Sequence, residues 1–468
     1  MRRTFGLTAL LLVTLAVLAV AGCTGNADSG AGLIQPFATG TPGPGPSISP
    51  KPSPSVSPLP AGLANVVTSL NNPTRMAFWA KNLSLYYLQG YQLGSNQGRL
   101  FRTAYDTQNN ESQSDPDSPQ EIAIEEINAR GEVQARALTM SNPVWMTLAE
   151  VNQPGKPIDG DYFLVTDNFG TNQGRVLMIK PDPDRPEATA LDLGQYAPSP
   201  PVNPMAVCHD GGKYIFWTEY TGTPQGRVRR ADISQDPPVV IDYLVGLDFP
   251  AGLDALAGKV AVAQNGASSV VVTDIEPENG TYPIPLASAR ILTAAVGDPV
   301  MLRPFEVRWA AGESLVILDG FALSVVGGPL PAGPGNGNLR YYPGPEDLNW
   351  SNRTVNLVKG DLTDPVGLGM IYQKTDGNEP YLDVAFVQSV VAAGTANRIR
   401  FKTAQFPPFP ILADKQLSTG LSRGFQVLSV GTWNVPTEPV NLLIYLSRGF
   451  DMGQANGSIV RYTGPFEP

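Results

Sequence analysis

Seven cycles of the same four strand-like segments, Gly and Pro at nearly every turn, and an N-terminal strand without partners of its own predict one all-β architecture. It is a seven-bladed β-propeller whose N-terminal strand closes the last blade. Gly 48 and Pro 45 among 468 residues suit short strands joined by tight turns. They disfavour long helices, whose interiors they destabilise by about 1 and 3 kcal/mol each.

The chain opens with an address. Arg2 and Arg3 precede an apolar run from Leu7 to Ala21, too short for a stable membrane span and fitting a signal peptide. Val20-Ala21-Gly22-Cys23 resembles the bacterial lipobox. That resemblance implies removal of residues 1–22 and lipidation of Cys23, with a second attachment on the new amino terminus; several acyl chains anchor where one is marginal. The paired arginines are also similar to a twin-arginine export signal, and Thr24 after the cysteine favours the outer membrane of a two-membrane cell. The expected location is extracytoplasmic, lipid-anchored at the outer membrane or cell surface.

Residues 23–61 are nearly all Gly, Ser, Thr, Ala and Pro, too poor in apolar groups to offset the entropy of ordering. They read as a disordered tether. Residues 62–468 form the propeller, at roughly 58 residues per cycle.

Within a cycle, a proline loop leads into a short apolar strand ("SNPVWMTL", "VNPMAVCH", "RPFEVRWA"). A second strand of strong β-formers ends in a polar residue ("YFLVTDN", "YIFWTEY", "LVILDG"). A third begins at Gly or Asn ("QGRLFRT", "QGRVLMI", "QGRVRRA"), and a fourth follows ("VQARALTM", "VVIDYLV", "RTVNLVK"). The second strands are apolar on nearly every residue, as expected of sheets covered on both faces. The tripeptide Gln-Gly-Arg marks the turn into the third strand, where glycine would supply a positive φ. The last cycle lacks a fourth strand, and "GLANVVTSLNNP" at 62–73 supplies it, removing the open edge.

The proline loop, "YFLVTDN" and "GRV" together resemble the NHL and SMP-30 type of propeller, and more loosely streptogramin-lyase-like proteins. The resemblance covers about 400 residues of degenerate repeat positions and implies fold more than activity.

Loops leaving the fourth and second strands share one face, so the polar ends of the second strands ring the channel mouth. The candidate ligand-binding residues are Asp167, Asn168, Glu219, Asn265, Asp319 and Arg448, joined by Gln264 and Gln388, with Arg75, Arg303 and Arg423 from the proline loops. Converging carboxylates and amides suit Ca²⁺, which makes Glu219, Asn265 and Asp319 the candidate metal ligands. SMP-30-like lactonases place a divalent metal at such a mouth; streptogramin-lyase-like chemistry would need a histidine. The only histidine, His209, falls at the outlet of a first strand on the opposite face.

Cys208 has no expected partner, since Cys23 takes the lipid, and reads as a buried structural thiol. Residues 106–132 are the longest acidic insertion, expected to be a solvated edge loop. The formal charge of −10 argues against nucleic acid as a partner.

The expected function is a lipid-anchored binding or scaffold module, monomeric in its domain, for a protein or glycan partner, with no catalytic residue assigned. The alternative is a divalent-metal-dependent hydrolase, lactonase or lyase working at the mouth.

Overall fold

The structure is a computed structural model. It describes residues 63–91, 96–104, 119–156, 158–169, 173–221, 225–278, 280–310, 313–321, 336–344, 354–374, 380–389, 394–404, 407–419, 421, 423–430, 443–448 and 457–462. The signal segment, Cys23 and the tether lie outside the described residues.

The described chain is an all-β propeller. The second strands Ser84–Gln89, Tyr214–Glu219 and Leu315–Asp319 are buried along their whole length, because neighbouring sheets cover both faces. The first strands line the interior. Val144, Trp145, Ala206, Val207, Leu253, Phe305, Val366 and Phe425 share one buried apolar cluster there. Closure comes from the N-terminus: Leu63–Leu70 pairs antiparallel with Gly457–Tyr462, from Leu63 opposite Tyr462 to Leu70 opposite Gly457.

The expected count of seven blades is corrected. Hydrogen bonding gathers the described strands into six sheets, of which five are separate blades of four to six strands. The sixth is one continuous eight-stranded sheet. Its two halves join where the outer strands Arg290–Ala294 and Thr354–Leu362 run parallel, Thr293 opposite Thr354 and Ala294 opposite Val355. Sequence period counts strand-forming segments; it does not record whether two outer strands share hydrogen bonds.

A second correction concerns the outer strands near the acidic insertion. "VQARALTM" was expected to be the fourth strand of the first cycle. That position is taken by Gln120–Glu121, while Val133–Ala135 edges the next sheet. Between them Ala123–Ile127 pairs parallel with Glu187–Asp192. The described end of the insertion therefore stitches one sheet to the next instead of forming a free loop; residues 106–118 lie outside the described residues.

The glycines of the third-strand turns also act differently from expectation. At Gly98, Gly174 and Gly226, φ lies outside the left-handed region. A Cβ would instead lie 2.5, 2.3 and 2.4 Å from the Cδ of Pro143, Pro204 and Pro250. Gly337 against Pro365 and Gly457 against Pro73 repeat the contact at 2.4 and 2.3 Å. Each glycine is small so that the proline opening the following first strand can pack on it. Gln-Gly-Arg marks a seam between cycles.

Candidate binding face at the channel mouth

The polar residues that end the second strands are buried, and a buried carboxylate costs several kcal/mol unless it is paired and hydrogen-bonded. Asp167 accepts hydrogen bonds from the backbone N–H of Ser141 and Asn142 at 2.8 and 2.7 Å and from Arg175 Nη2 at 2.7 Å. Burial raises its pKa, opposed first by Arg175. Glu219 does the same work: Val202 N–H donates to it at 3.2 Å, and Arg227 Nε and Nη2 at 2.9 and 2.7 Å. The Trp217 indole N–H donates to its other oxygen at 2.8 Å, with Arg229 at 3.3 Å.

Amides substitute in other cycles. Gln89 accepts from Asn71 N–H at 2.9 Å, Gln264 from Asp248 N–H at 3.0 Å, and Gln388 from Thr363 N–H at 2.7 Å. Gln264 and Gln388 then donate to Ser269 and Thr395 at the start of the third strand, both at 2.9 Å. One clasp therefore recurs around the ring. The end of a second strand holds the incoming loop by a backbone N–H and the next strand by a side chain. The arginine of Gln-Gly-Arg is its cationic form: Arg175 stands opposite Asp167 and Arg227 opposite Glu219 in strand register.

The candidate metal ligands are spent in the same way. Asp319 accepts from Asn338 Nδ2 at 2.7 Å and from Arg340 Nε, with its pKa raised by burial and lowered by Arg340. Asn265 donates to the backbone oxygens of Pro304 and Phe321 at 3.2 and 2.9 Å. Glu219, Asn265 and Asp319 thus serve different local bonds. Arginines beside two of the three oppose a dication, so this donor set does not fit Ca²⁺. Among the described residues, no group of three or more His, Cys, Asp or Glu side chains is arranged to hold a metal.

Asn168 is buried, its N–H donating to Asn142 O at 3.0 Å. Arg448 Nε donates to Ser458 Oγ at 2.6 Å, and burial lowers its pKa. His209 folds into the turn after its strand, where Gly211 N–H donates to Nδ1 at 3.3 Å; burial lowers its pKa. Cys208 is buried, and desolvation raises its thiol well above the ordinary value.

The three proline-loop arginines divide. Arg75 is fully buried, paired with Glu306 at 2.5 Å. Its guanidinium lies 3.6 Å from the Trp145 ring centroid and 4.8 Å from that of Phe425. Glu306 also accepts from the N–H groups of Gly367 and Leu368 at 3.1 and 2.8 Å. This pair ties together groups from five cycles. Glu306 escaped the sequence reading, although it is the lone acid within the apolar strand "RPFEVRWA".

Arg303 and Arg423 behave differently. They flank Asp364, whose pKa is raised by burial and lowered by Arg423 and then Arg303. Arg303 Nη1, Asp364 Oδ1, Ser389 Oγ and Asn265 Oδ1 are all buried atoms without a hydrogen-bond partner. They belong to adjoining turns, because Ser389 N–H donates to Asp364 O at 3.0 Å and Asn265 bonds the carbonyl next to Arg303. The loop that leads into Arg303 exposes Val296, Val300 and Leu302.

A separate cleft of about 330 Å³ opens at the rim, lined by Ile158, Tyr162, Met178 and Leu191 with Lys180 and Asp236 at its edge. Its lysine is already bonded to Asp159 O at 2.9 Å.

Neither a protein-family model nor a curated protein sequence matches the chain. Solved structures similar to it include the β-propeller domain of Cps50 (Swd1) from Myceliophteria thermophila, 9% identical. That match covers 85% of this chain and 99% of that one, with a TM-score of 0.42. Sqt1 from Chaetomium thermophilum is 12% identical over 86% and 91% of the two chains, with a TM-score of 0.46. A putative phosphatase from Bacteroides thetaiotaomicron is 10% identical over 82% and 85%, with a TM-score of 0.41.

Proposed function

We propose that this protein is a binding propeller, tethered by lipid on Cys23 to the outer face of a bacterial membrane, that presents its channel mouth to a protein partner. One observation carries the reading: Val296, Val300 and Leu302 are exposed on the loop that leads into Arg303, whose buried Nη1 has no partner within the chain. Apolar contact beside unpaired hydrogen-bonding groups is the composition of a protein interface. The lipobox-like Val20-Ala21-Gly22-Cys23 and the Pro-rich stretch behind it support the tether. The resemblance to NHL and SMP-30-type propellers supports the scaffold and says nothing of their chemistry.

The test uses the full chain in its own cells. Labelled palmitate should enter the wild type and not Cys23→Ser, and cross-linking should capture one protein that Val300→Asp loses. Palmitate labelling of Cys23→Ser at the wild-type level contradicts the anchor. A partner retained by Val300→Asp but lost on Lys180→Glu moves the site to the rim.

A further inference from the structure

The rim cleft of about 330 Å³ follows from the extra strand that the insertion adds to its sheet. Ala123–Ile127 widens that sheet, so Leu191 has Met178 opposite on one side and Ile127 opposite on the other. These three make one apolar row across the sheet. Two residues along each strand, and so on the same face, stands Lys180 opposite Thr189. Ile158 and Tyr162 extend the apolar wall, and Gln235 and Asp236, in the turn between Gly226–Asp232 and Val239–Leu247, close the far side.

The near lip is held in place. Asn128 Oδ1 accepts from the N–H groups of Arg130 and Glu132, both at 3.0 Å, and Ala129 N–H donates to Tyr196 Oη at 2.8 Å. The Glu132 carboxylate accepts from Asn128 Nδ2 at 2.7 Å, and the Lys180 ammonium donates to a carbonyl, Asp159 O. Among the described residues, therefore, no ion pair neutralises Arg130 or Lys180, and both are exposed at the cleft. Asp236 is the one carboxylate that lines it, so two cations against one anion leave a single positive charge. A second cleft of about 590 Å³ shares Lys180 and Thr189 and is lined by Glu125, Arg136, Asp182 and Arg185. Lys180 thus stands where an apolar cleft meets a charged one.

We infer that the rim cleft binds a small amphipathic monocarboxylate, its apolar body over Met178, Leu191 and Tyr162 and its carboxylate at Lys180 and Arg130. Ligand pockets span about 300–1,000 Å³. At roughly 30 Å³ per water-sized group, this one takes on the order of ten non-hydrogen atoms. A sugar of that size offers no apolar body to the Met178–Leu191–Ile127 row, and a neutral or cationic amphiphile leaves both cations unmatched. The apolar body is a linear acyl chain or an aromatic ring, and either places the same carboxylate at the same two cations. The site is separate from the protein partner proposed above and does not rest on it.

Calorimetric titration of the full chain compares octanoate, 3-phenylpropionate, octanol, octylammonium and acetate. One of the two amphipathic carboxylates should bind about tenfold more tightly than octanol, the worth of one charge-assisted hydrogen bond. Which of the two does so identifies chain or ring. Acetate and octylammonium should bind more weakly still. Lys180→Gln should weaken the preferred carboxylate about tenfold, and Arg130→Gln, at a second exposed position, should shift it in the same direction if Lys180→Gln melts below the wild type. Val300→Asp should leave this binding unchanged, which separates it from the partner reading. Absence of binding by both carboxylates, octanol or octylammonium binding as tightly as octanoate and 3-phenylpropionate, acetate matching them, or indifference to both variants overturns the assignment.

Discussion

Asp167 and Asp364 are both carboxylates near strand ends, both beside arginine, and both raised in pKa by burial. They differ in what surrounds their oxygens. Asp167 accepts two backbone N–H groups and an arginine, which fixes the turn between two strands. Asp364 Oδ1 accepts nothing from the chain, and neither does Ser389 Oγ beside it. Polarity at the end of a strand therefore does not distinguish a ligand site from a joint; the number of unspent hydrogen bonds does.

The largest effect should come from the most completely spent group. Glu306→Ala leaves Arg75 buried and charged, and unfolding in urea should show a loss of about 3–5 kcal/mol.

A titratable joint should show itself through pH. Burial pushes Asp192 up to about 6, while its carboxylate accepts from Gly194 N–H at 2.8 Å and Val176 N–H at 3.4 Å. A raised acid binds more protons folded than unfolded, so its contribution to stability falls as pH rises from about 4 to 6. Relative to Asp192→Asn, the wild type should lose on the order of 2–3 kcal/mol across that window and hold a constant difference above it. A difference independent of pH between 4 and 6 would show that the carboxyl is not shifted.

Next comes the seam. Gly174→Ala drives a methyl group into Pro204 and should cost about 1–3 kcal/mol, as overpacking does. Adding Pro204→Ala should restore part of the loss; strictly additive losses in the double-mutant cycle would mean that the contact is not the cause.

The smallest effect belongs to the exposed projection. Val300→Asp should shift stability by no more than about 0.5 kcal/mol, the usual range for exposed sites. A melting temperature well below wild type would make Val300 part of the structure and remove it from the binding face.

The strand content was legible because buried second strands are continuous runs such as "YIFWTE", and closure was legible because Leu63–Leu70 has no sheet of its own beforehand. The fusion of two cycles was not, since Thr293 pairs with Thr354 across sixty residues without any local signature. The use of the polar strand ends was hidden. Asp167, Glu219 and Gln388 look alike as ligands until the backbone N–H groups 25, 17 and 25 residues upstream are seen to end on them. Gln-Gly-Arg shows both sides of this. Its glycine was read as a conformational need and proved to be a packing need, visible only once Pro204 lies against Gly174.

Whether the mouth divides into spent and unspent groups is tested most directly by one paired measurement: the unfolding free energies of Arg175→Gln and Arg303→Gln in urea. Arg175→Gln strips a buried carboxylate of its cation and should lose roughly 2 kcal/mol or more. Arg303→Gln removes a buried nitrogen, Nη1, that bonds nothing in the chain and should cost less than Arg175→Gln. Equal losses would make Arg303 one more joint and contradict the account.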